Sequence, residues 1–402
     1  MRDKLILITA GFPFGNHETF LETEIIYLSS AFKKIIILSI CDQIDTQREI
    51  PENCQVYKIK SSLTKLEKIK SVYYLINKRF WQEIQIIRKT YQKKVSIGII
   101  KTMLISLYNA SRIQKELFKH IDVPDGTTCY SYWCDDGALG LGLLKEKISK
   151  VTSVCRTHGW DLYFEVHNYK YLPFRHYIAD QLDAIYPISQ KGKAYITEVW
   201  RISNPEKVEV SRLGVVAQNK VNPSGIFKIV SCSNLIPLKR VELIIQALSA
   251  ITKTSVNWTH LGDGTEKQRL LQMASDTLGP NVNWEFKGRL PHNEVMQWYR
   301  ENKPAIFINL STSEGIPVSI MEAMSFGIPV IATDVGGNTE IVNNKNGSLL
   351  PEYTTSEEVA NTIQEYFDPE IRNRKGKEAF NTWKTNFNAK ENYIKFVESL
   401  LK

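Results

Sequence analysis

The sequence predicts an α/β chain built from two doubly wound domains in series, on three observations. Short apolar runs alternate with helical stretches from the N-terminus onward, the rhythm of a parallel sheet. The alternation stops at Gln218-Asn219-Lys220 and Asn222-Pro223-Ser224-Gly225, a stretch of linker composition, and restarts at Phe227. Finally, 402 residues of which 43% are hydrophobic suffice for two separate cores. The domains are therefore set at 1–215 and 226–375, with a linker at 216–225 and a C-terminal helical segment at 376–402.

The first strand falls at 5–9, where Leu5-Ile6-Leu7-Ile8 is continuously apolar, as a strand buried on both faces must be. A helix over 18–30 and a strand at 34–39, around Ile35-Ile36-Ile37-Leu38, complete a β-α-β unit. Basic helices then interrupt the rhythm. It resumes with strands at 127–132 and 151–156 around a helix at 137–148, and a short strand at 184–187. In the second half, strands at 227–232, 257–261, 282–286, 305–310 and 330–333 alternate with helices at 240–250, 266–278, 292–301 and 317–326. The closing stretch, 371–402, reads as helical and offers Phe380, Trp383, Phe387, Tyr393, Phe396 and Leu400 for docking. No repeat, low-complexity tract or heptad pattern is evident.

Net charge is +8, but it is unevenly placed: residues 58–119 hold fifteen Lys or Arg and three acids, so the remainder of the chain is net acidic. Leu63, Leu66, Ile69, Tyr73, Phe80, Trp81, Ile84, Ile87, Ile97, Ile100, Leu104 and Leu107 interleave with that charge at spacings near three and four, an amphipathic helical pattern. Two readings stand: a solvated helix face over a core-facing stripe, or a surface for anionic lipid head groups. Nucleic acid is not expected as a partner, because no recognised binding module accompanies the charge. No run approaches the roughly 20 apolar residues of a membrane-spanning helix. Residues 5–10 run too soon into Gly11-Phe12-Pro13 for a signal peptide. The six cysteines are scattered, with no CxxC pair and no histidine at ligand spacing, so reduced thiols, a cytoplasmic setting and no metal are expected.

Chemistry is most legible in residues 306–342, IFINLSTSEGIPVSIMEAMSFGIPVIATDVGGNTEIV. This is a strand, a loop, a helix and a strand, and ligands on such sheets sit at the carboxyl ends of strands, where helix N-termini offer free N–H groups. Pro317 suits the first helical turn, and Gly327 with Pro329 ends the helix. Gly315 lets the backbone approach a ligand. Glu314 and Glu322 flank the turn, at most roughly 12 Å apart if the stretch is helical. A carboxylate accepts hydrogen bonds from both members of a vicinal diol, so the pair matches the sugar and ribose ends of a nucleotide diphosphate sugar.

The string Glu314-Gly315-Ile316-Pro317, Glu322-Ala323-Met324 and Gly327-Ile328-Pro329-Val330 closely resembles the signature of the family 4 retaining glycosyltransferases. The resemblance implies the GT-B fold: two Rossmann-like domains facing each other across a cleft, with the C-terminal helix packing back on the N-terminal domain. It implies that Glu314, with the backbone of Gly315 and Ile316, contacts the donor sugar, and that Glu322 binds the ribose. Ser233-Asn234-Leu235-Ile236-Pro237-Leu238-Lys239 looks like the family's diphosphate loop, with Lys239 on the expected lysine. Asn234 replaces the usual arginine, leaving Arg240 or Arg289 to compensate. Gly262-Asp263-Gly264 resembles the family's GxG loop, and Gly288-Arg289-Leu290-Pro291 the loop that brackets the nucleobase.

In the N-terminal half, Gly15, Asn16 and His17, in the loop after the first strand, lie where the family approaches acceptor and donor phosphate. Arg156-Thr157-His158-Gly159-Trp160-Asp161 is similar to its His-containing loop near the reacting carbon, which makes His158 and Asp161 site candidates, and Arg212 could face the cleft. Asp135-Asp136 reads as a helix N-cap rather than a metal pair. The segments YSYWCDDGALG and CRTHGWDLYFE look like bacterial enzymes of exopolysaccharide and lipopolysaccharide synthesis. The expectation is thus a retaining enzyme that moves a sugar from a nucleotide diphosphate sugar to a glycan or lipid-linked glycan acceptor. It would need no metal or other cofactor and would be cytoplasmic, with the basic helices resting on the membrane. The alternatives are an epimerase or phosphorylase of the same fold, or a non-catalytic sugar-nucleotide-binding subunit.

Overall fold

In the computed structural model, which describes residues 2–15, 18–42, 47–120, 127–223 and 225–402, the apolar runs become strands of two all-parallel sheets. Two units result, one of Met1–Arg212 with Tyr393–Lys402, the other of Leu213–Asn392.

The first sheet contains β1 (Arg2–Thr9), β2 (Phe32–Ile40), β3 (Cys54–Ile59), β4 (Thr128–Ser131), β5 (Thr152–Thr157) and β6 (Ala184–Pro187), in the order β3-β2-β1-β4-β5-β6. Every pairing is parallel. The apolar strands are buried on both faces because helices cover both. Leu5 and Leu7 with Ile35 and Ile37 meet α1 (Phe20–Ala31), while Ile6, Ile8, Ile36 and Leu38 pack towards α3 (Lys78–Lys89), α4 (Ile97–His120) and α5 (Asp136–Lys145). Strand β3 escapes the sequence reading because it is a half-exposed edge whose residues alternate instead of forming an apolar run. Helices α6 (Arg175–Gln181) and α7 (Gln190–Tyr195), short and flanking β6, were likewise not anticipated.

The basic insertion divides in two. In α4 the stripe Met103, Leu107, Ala110, Ile113 and Leu117 is core, as are Phe80, Ile84 and Ile87 of α3. By contrast α2 (Lys65–Lys70) buries no residue, and Leu66, Ile69, Tyr73, Ile76 and Trp81 are 55–72% exposed. Among the described residues, no helix is long and apolar enough to cross a membrane.

The second sheet repeats the first in β7 (Phe227–Cys232), β8 (Val256–Leu261), β9 (Val282–Phe286), β10 (Ile306–Asn309), β11 (Val330–Thr333) and β12 (Gly347–Leu350), ordered β12-β11-β10-β7-β8-β9. Helices α8 (Val241–Ser249), α9 (Lys267–Thr277), α10 (His292–Asn302), α11 (Val318–Ser325), α12 (Asn338–Ile341) and α13 (Ser356–Glu365) connect and cover these strands. The order reverses between β7 and β10, which makes that place the topological switch point where such sheets take ligands. The helical end is two helices, α14 (Pro369–Asn386) and α15 (Ala389–Leu401), because Phe387 leaves helical geometry. Ala379, Trp383 and Phe387 are buried in the second unit, whereas Phe396 and Leu400 join the core of the first.

Candidate functional site

Two loops leave the switch point of the second unit, and their side chains meet. After β7 the chain turns through Pro237–Lys239, and Arg240 takes a left-handed conformation (φ 46°) before α8. After β10 it runs through Ser311 to Pro317 into α11. Lys239 Nζ donates to Glu314 Oε1 at 2.5 Å, and the same oxygen accepts from Ser311 Oγ at 2.6 Å and Asn309 Nδ2 at 3.2 Å. Three donors on Oε1 fix the carboxylate and leave Oε2 able to accept from a ligand. Sequence reading missed Asn309 and Ser311, although both stand in the string that identified Glu314.

Pro317 sits at the N-cap of α11, one residue earlier than its expected place in the first turn. The displacement matters little for chemistry, since the N–H groups of the helix's first turn still lack intrahelical acceptors. A Cβ at Gly315 would meet no protein atom within 4 Å, so this backbone is open to close approach. Ile316 is buried and anchors the turn. Behind it lie two residues not singled out, Gly336 and Gly337: a Cβ on the first would overlap the carbonyl oxygen of Glu314, and on the second that of Gly315. The Asp-Val-Gly-Gly-Asn run of residues 334–338 was their signal.

Glu322, within α11 and nearly buried, points Oε1 to Nε2 of His292, 3.0 Å away, at the start of α10. The loop carrying Arg289 and Leu290 leads directly into that histidine, so the residues assigned to ribose and to base belong to one neighbourhood. His292 had no sequence signal of its own, because only the fold brings it to Glu322.

The two arginines named as substitutes for Asn234 have different fates. Arg240 directs Nε to the Leu310 carbonyl at 2.7 Å and its terminal nitrogens to the carbonyls of Glu352 (2.8 Å) and Ser311 (3.4 Å). It ties the two loops together through these carbonyls while its guanidinium keeps its charge. Arg289 instead reaches Asn234 Oδ1 at 3.3 Å. A guanidinium is thus present at the position where the loop lacks its own.

Gly262 and Gly264 are required by close backbone contact, since a Cβ would overlap the carbonyl of Ser233 or Leu235 respectively. His260 supports the same loop. Its Nε2 lies 3.1 Å from the Ser233 carbonyl, so that nitrogen carries the proton, and Nδ1 accepts from Ser231 Oγ at 2.9 Å. Burial holds its pKa down to about 4, keeping the ring neutral.

In the first unit, His158 follows β5 with its ring between Tyr132 and Trp133, at centroid separations of 4.6 and 4.4 Å. Neither ring nitrogen has a hydrogen-bond partner among the described residues. Asp161 is fully buried and accepts the backbone N–H groups of Cys134 and His158, both at 2.8 Å. Burial pushes its carboxyl up, but the neighbouring His158 ring and these two bonds outweigh that and hold it below the usual range. Asp161 is therefore a positioning residue for the loop. Gly15, at φ 64°, turns the loop after β1; Asn16 and His17 lie outside the described residues. That loop is braced by Glu18, another residue the sequence did not advertise, which accepts from the N–H of Ala10 and Phe12 and from Trp133 Nε1. Arg212, half-buried, ends the unit's first stretch. Among the described residues no group of three or more His, Cys, Asp or Glu could hold a metal ion, and all six cysteines are unpaired.

Comparison with known proteins bears on the second unit first. The family described as Glycosyl transferases group 1 matches residues 217–382. A peptide N-acetylglucosaminyltransferase GtfA subunit of Streptococcus agalactiae, named as using UDP-N-acetylglucosamine, is 28% identical over 185 residues, 44% of this chain and 35% of that protein. The putative colanic acid biosynthesis glycosyltransferase WcaL of Salmonella typhimurium is 29% identical over 224 residues, 53% of each. The chain thus spans between a third and about half the length of these curated relatives. Among solved structures, Anabaena HepE in complex with UDP shares 18% identity, with a TM-score of 0.67 over 99% of both chains. Likeness of that kind, with two parallel six-stranded sheets, makes this a two-domain Rossmann-like GT-B fold. Fold, motif string and family match agree in likening residues 217–382 to the Glycosyl transferases group 1 family.

Proposed function

We propose that the chain is a retaining glycosyltransferase of family 4 type, which transfers a sugar from a nucleotide diphosphate sugar to a glycan or lipid-linked glycan in surface polysaccharide synthesis. The observation that carries the reading is the meeting of Lys239 and Glu314 at the switch point of the second sheet, beside the first turn of α11. A diphosphate needs cations and free N–H groups, and a hexose needs an acceptor-only group; both are present within one loop pair. Glu322 with His292 supplies a second hydroxyl-binding pair for the ribose, and Arg289 supplements Lys239 on the phosphates. Lys239, Arg289 and the helix end would stabilise the leaving diphosphate electrostatically, with no step assigned to a metal. Its departing oxygen takes the proton of the attacking acceptor hydroxyl on the same face, so the new bond keeps the anomeric configuration and no separate general base is needed.

The acceptor is assigned to the first unit, with His158 as its candidate catalytic side chain. The names of the relatives support UDP-sugars as first probes and a bacterial surface glycan as product class. We assign a cytoplasmic location at the membrane face, supported by the exposed apolar side chains of residues 66–81 among Lys65, Lys68, Lys70 and Lys78. The test is incubation with UDP-, GDP-, dTDP- and ADP-sugars, with and without glycan acceptors. Acceptor-dependent release of nucleotide diphosphate, with proton NMR of the product showing the donor's anomeric configuration, is expected. Inversion, or nucleotide release indifferent to every acceptor, would overturn it.

A further inference from the structure

A cavity of about 410 Å³ lies wholly within the first unit at the carboxyl ends of β4 and β5, walled by the start of α5, the loop before α6 and one side of α4. Its size is within the range of small-molecule sites. Asp135, Asp136, Trp160, Tyr169, Arg175 and Ser106 face it. None of them belongs to the loops assigned to the donor.

The chemistry of the walls selects a ligand class. Trp160 is 62% exposed yet held in place, since His167 Nε2 bonds its carbonyl oxygen at 2.6 Å and the two rings lie 4.9 Å apart. Tyr169 seats its ring on Gly98 of α4, where a Cβ would overlap it. Two fixed aromatic faces at a cavity mouth suit a flat ligand with an apolar side and polar rim. Asp135 uses Oδ1 to accept the Gly137 N–H, and Asp136 uses Oδ2 to accept from Asn109 Nδ2, both at 2.8 Å, so each retains acceptor capacity. Burial, with the charge of Asp136 adding to it, raises Asp135 to about 7, so at neutral pH that carboxyl can donate as well as accept.

Arg175 is the cation of the cavity, but its nitrogens are committed to backbone: Nε and one terminal nitrogen to the Asp161 carbonyl, the other to that of Pro173. A phosphate would meet two carboxyl groups here, and Arg175 already has three of its five N–H groups on backbone carbonyls, so the walls favour an uncharged ligand over a second donor diphosphate. Hydroxyls that both donate and accept, on a ring with an apolar face, satisfy every wall.

We infer that this cavity is a glycan subsite that holds an uncharged hexopyranose residue of the acceptor, stacked on Trp160 with its hydroxyls on Asp135 and Asp136. The inference rests on the glycosyltransferase reading for the word acceptor, but the binding itself does not.

Saturation-transfer difference NMR on the full chain tests it, with methyl α- and β-glucopyranosides, galactopyranosides, mannopyranosides and N-acetylglucosaminides as probes. At least one glycoside should receive saturation and keep it in the presence of saturating UDP. Trp160→Ala and Asp136→Asn should each weaken that binding tenfold or more, and thermal shifts by UDP should be the same in both variants as in the parent. Absence of transfer from every glycoside, transfer untouched by both substitutions, or transfer displaced by UDP would overturn the subsite. Binding of an organic amine such as choline in place of every neutral sugar would also overturn it. Pocket-dependent glycoside binding without any nucleotide-induced shift would retain the cavity as a sugar site and reject the donor reading.

Discussion

Lys239 Nζ stands 2.5 Å from Oε1 of Glu314, so the cation assigned to the diphosphate and the anion assigned to the sugar are each other's partners. The pair is only partly exposed, 18% and 9%, and Glu314 keeps two further donors, Ser311 and Asn309. A diphosphate can therefore draw the lysine away without leaving the carboxylate unsupported. Substituting Lys239→Met should lower kcat/KM by about 10²- to 10³-fold, the usual loss on removing one preorganised charge from a transition state. Glu314→Gln should cost a similar factor, because the amide places N–H groups where Ser311 and Asn309 donate. Steady-state kinetics on the preferred donor checks both; full activity in either variant rejects the assignment.

Gly336 and Gly337 act through backbone alone. Because a Cβ at either position overlaps a carbonyl of the Glu314-Gly315 turn, Gly336→Val should displace the turn and raise the Kd for nucleotide sugar tenfold or more, about 1.4 kcal/mol. Isothermal titration on the folded variant reads this directly. Unchanged affinity would mean that the donor does not depend on that turn.

His260 links pH to stability. Buried and neutral, it takes up a proton in the folded chain only near pH 4, whereas in the unfolded chain it does so near 6.5. Between those values the unfolded state binds more protons, so stability falls as pH drops through the window, by about 3 kcal/mol in total. Urea unfolding at pH 7 and pH 4.5 should show a smaller pH-dependent loss in His260→Gln than in the parent. Equal losses would remove His260 as the cause.

What could be read from the sequence followed from periodicity and from residues adjacent in the chain. Continuous apolar runs such as Leu5-Ile6-Leu7-Ile8 mark strands buried on both faces, and Glu314 to Pro317 carries its own signature. Strand β3 was missed because one-sided burial leaves no apolar run, and β12 because Gly347 and Ser348 leave only two apolar residues in it. His292 and Asn309 were missed for a different reason: their importance lies in a partner, Glu322 at thirty residues' distance and Glu314 across a strand end. Arg240 shows a related limit: its loop is legible in the sequence, but the three backbone carbonyls that hold its guanidinium are not.

Glu24 and Arg156 form a pair inside the first unit, 3.3 Å apart and without exposed side-chain surface. Arg156 also bonds Tyr130 Oη and the Ser211 carbonyl, and lies over the Phe396 ring of α15 at 4.1 Å. Burial raises the Glu24 carboxyl in spite of this neighbour. Removing only the cation leaves an uncompensated buried acid, so Arg156→Met should destabilise the unit by about 3–5 kcal/mol. Adding Glu24→Leu should restore part of that loss. Chemical denaturation of the single and double variants measures it, and a double variant no better than the single would show that packing on Phe396, not charge, sets the cost.

Residues 66–81 separate the two readings of the basic segment. In α4 the apolar stripe is core, yet Leu66, Ile69 and Ile76 are 60%, 68% and 72% exposed, beside lysines that would sit near anionic head groups. Each lysine near such a surface contributes about 1 kcal/mol, and burying the apolar side chains adds a component that salt does not screen. Co-sedimentation should therefore show retention on phosphatidylglycerol-containing vesicles at low salt and little on pure phosphatidylcholine. Replacing Leu66, Ile69 and Ile76 together with Ser should reduce retention without lowering Tm, because none of the three supports the core. Retention that disappears completely in high salt and is unaffected by the triple substitution would leave charge alone as the attraction. Equal recovery from both vesicle types would remove the membrane surface as a partner.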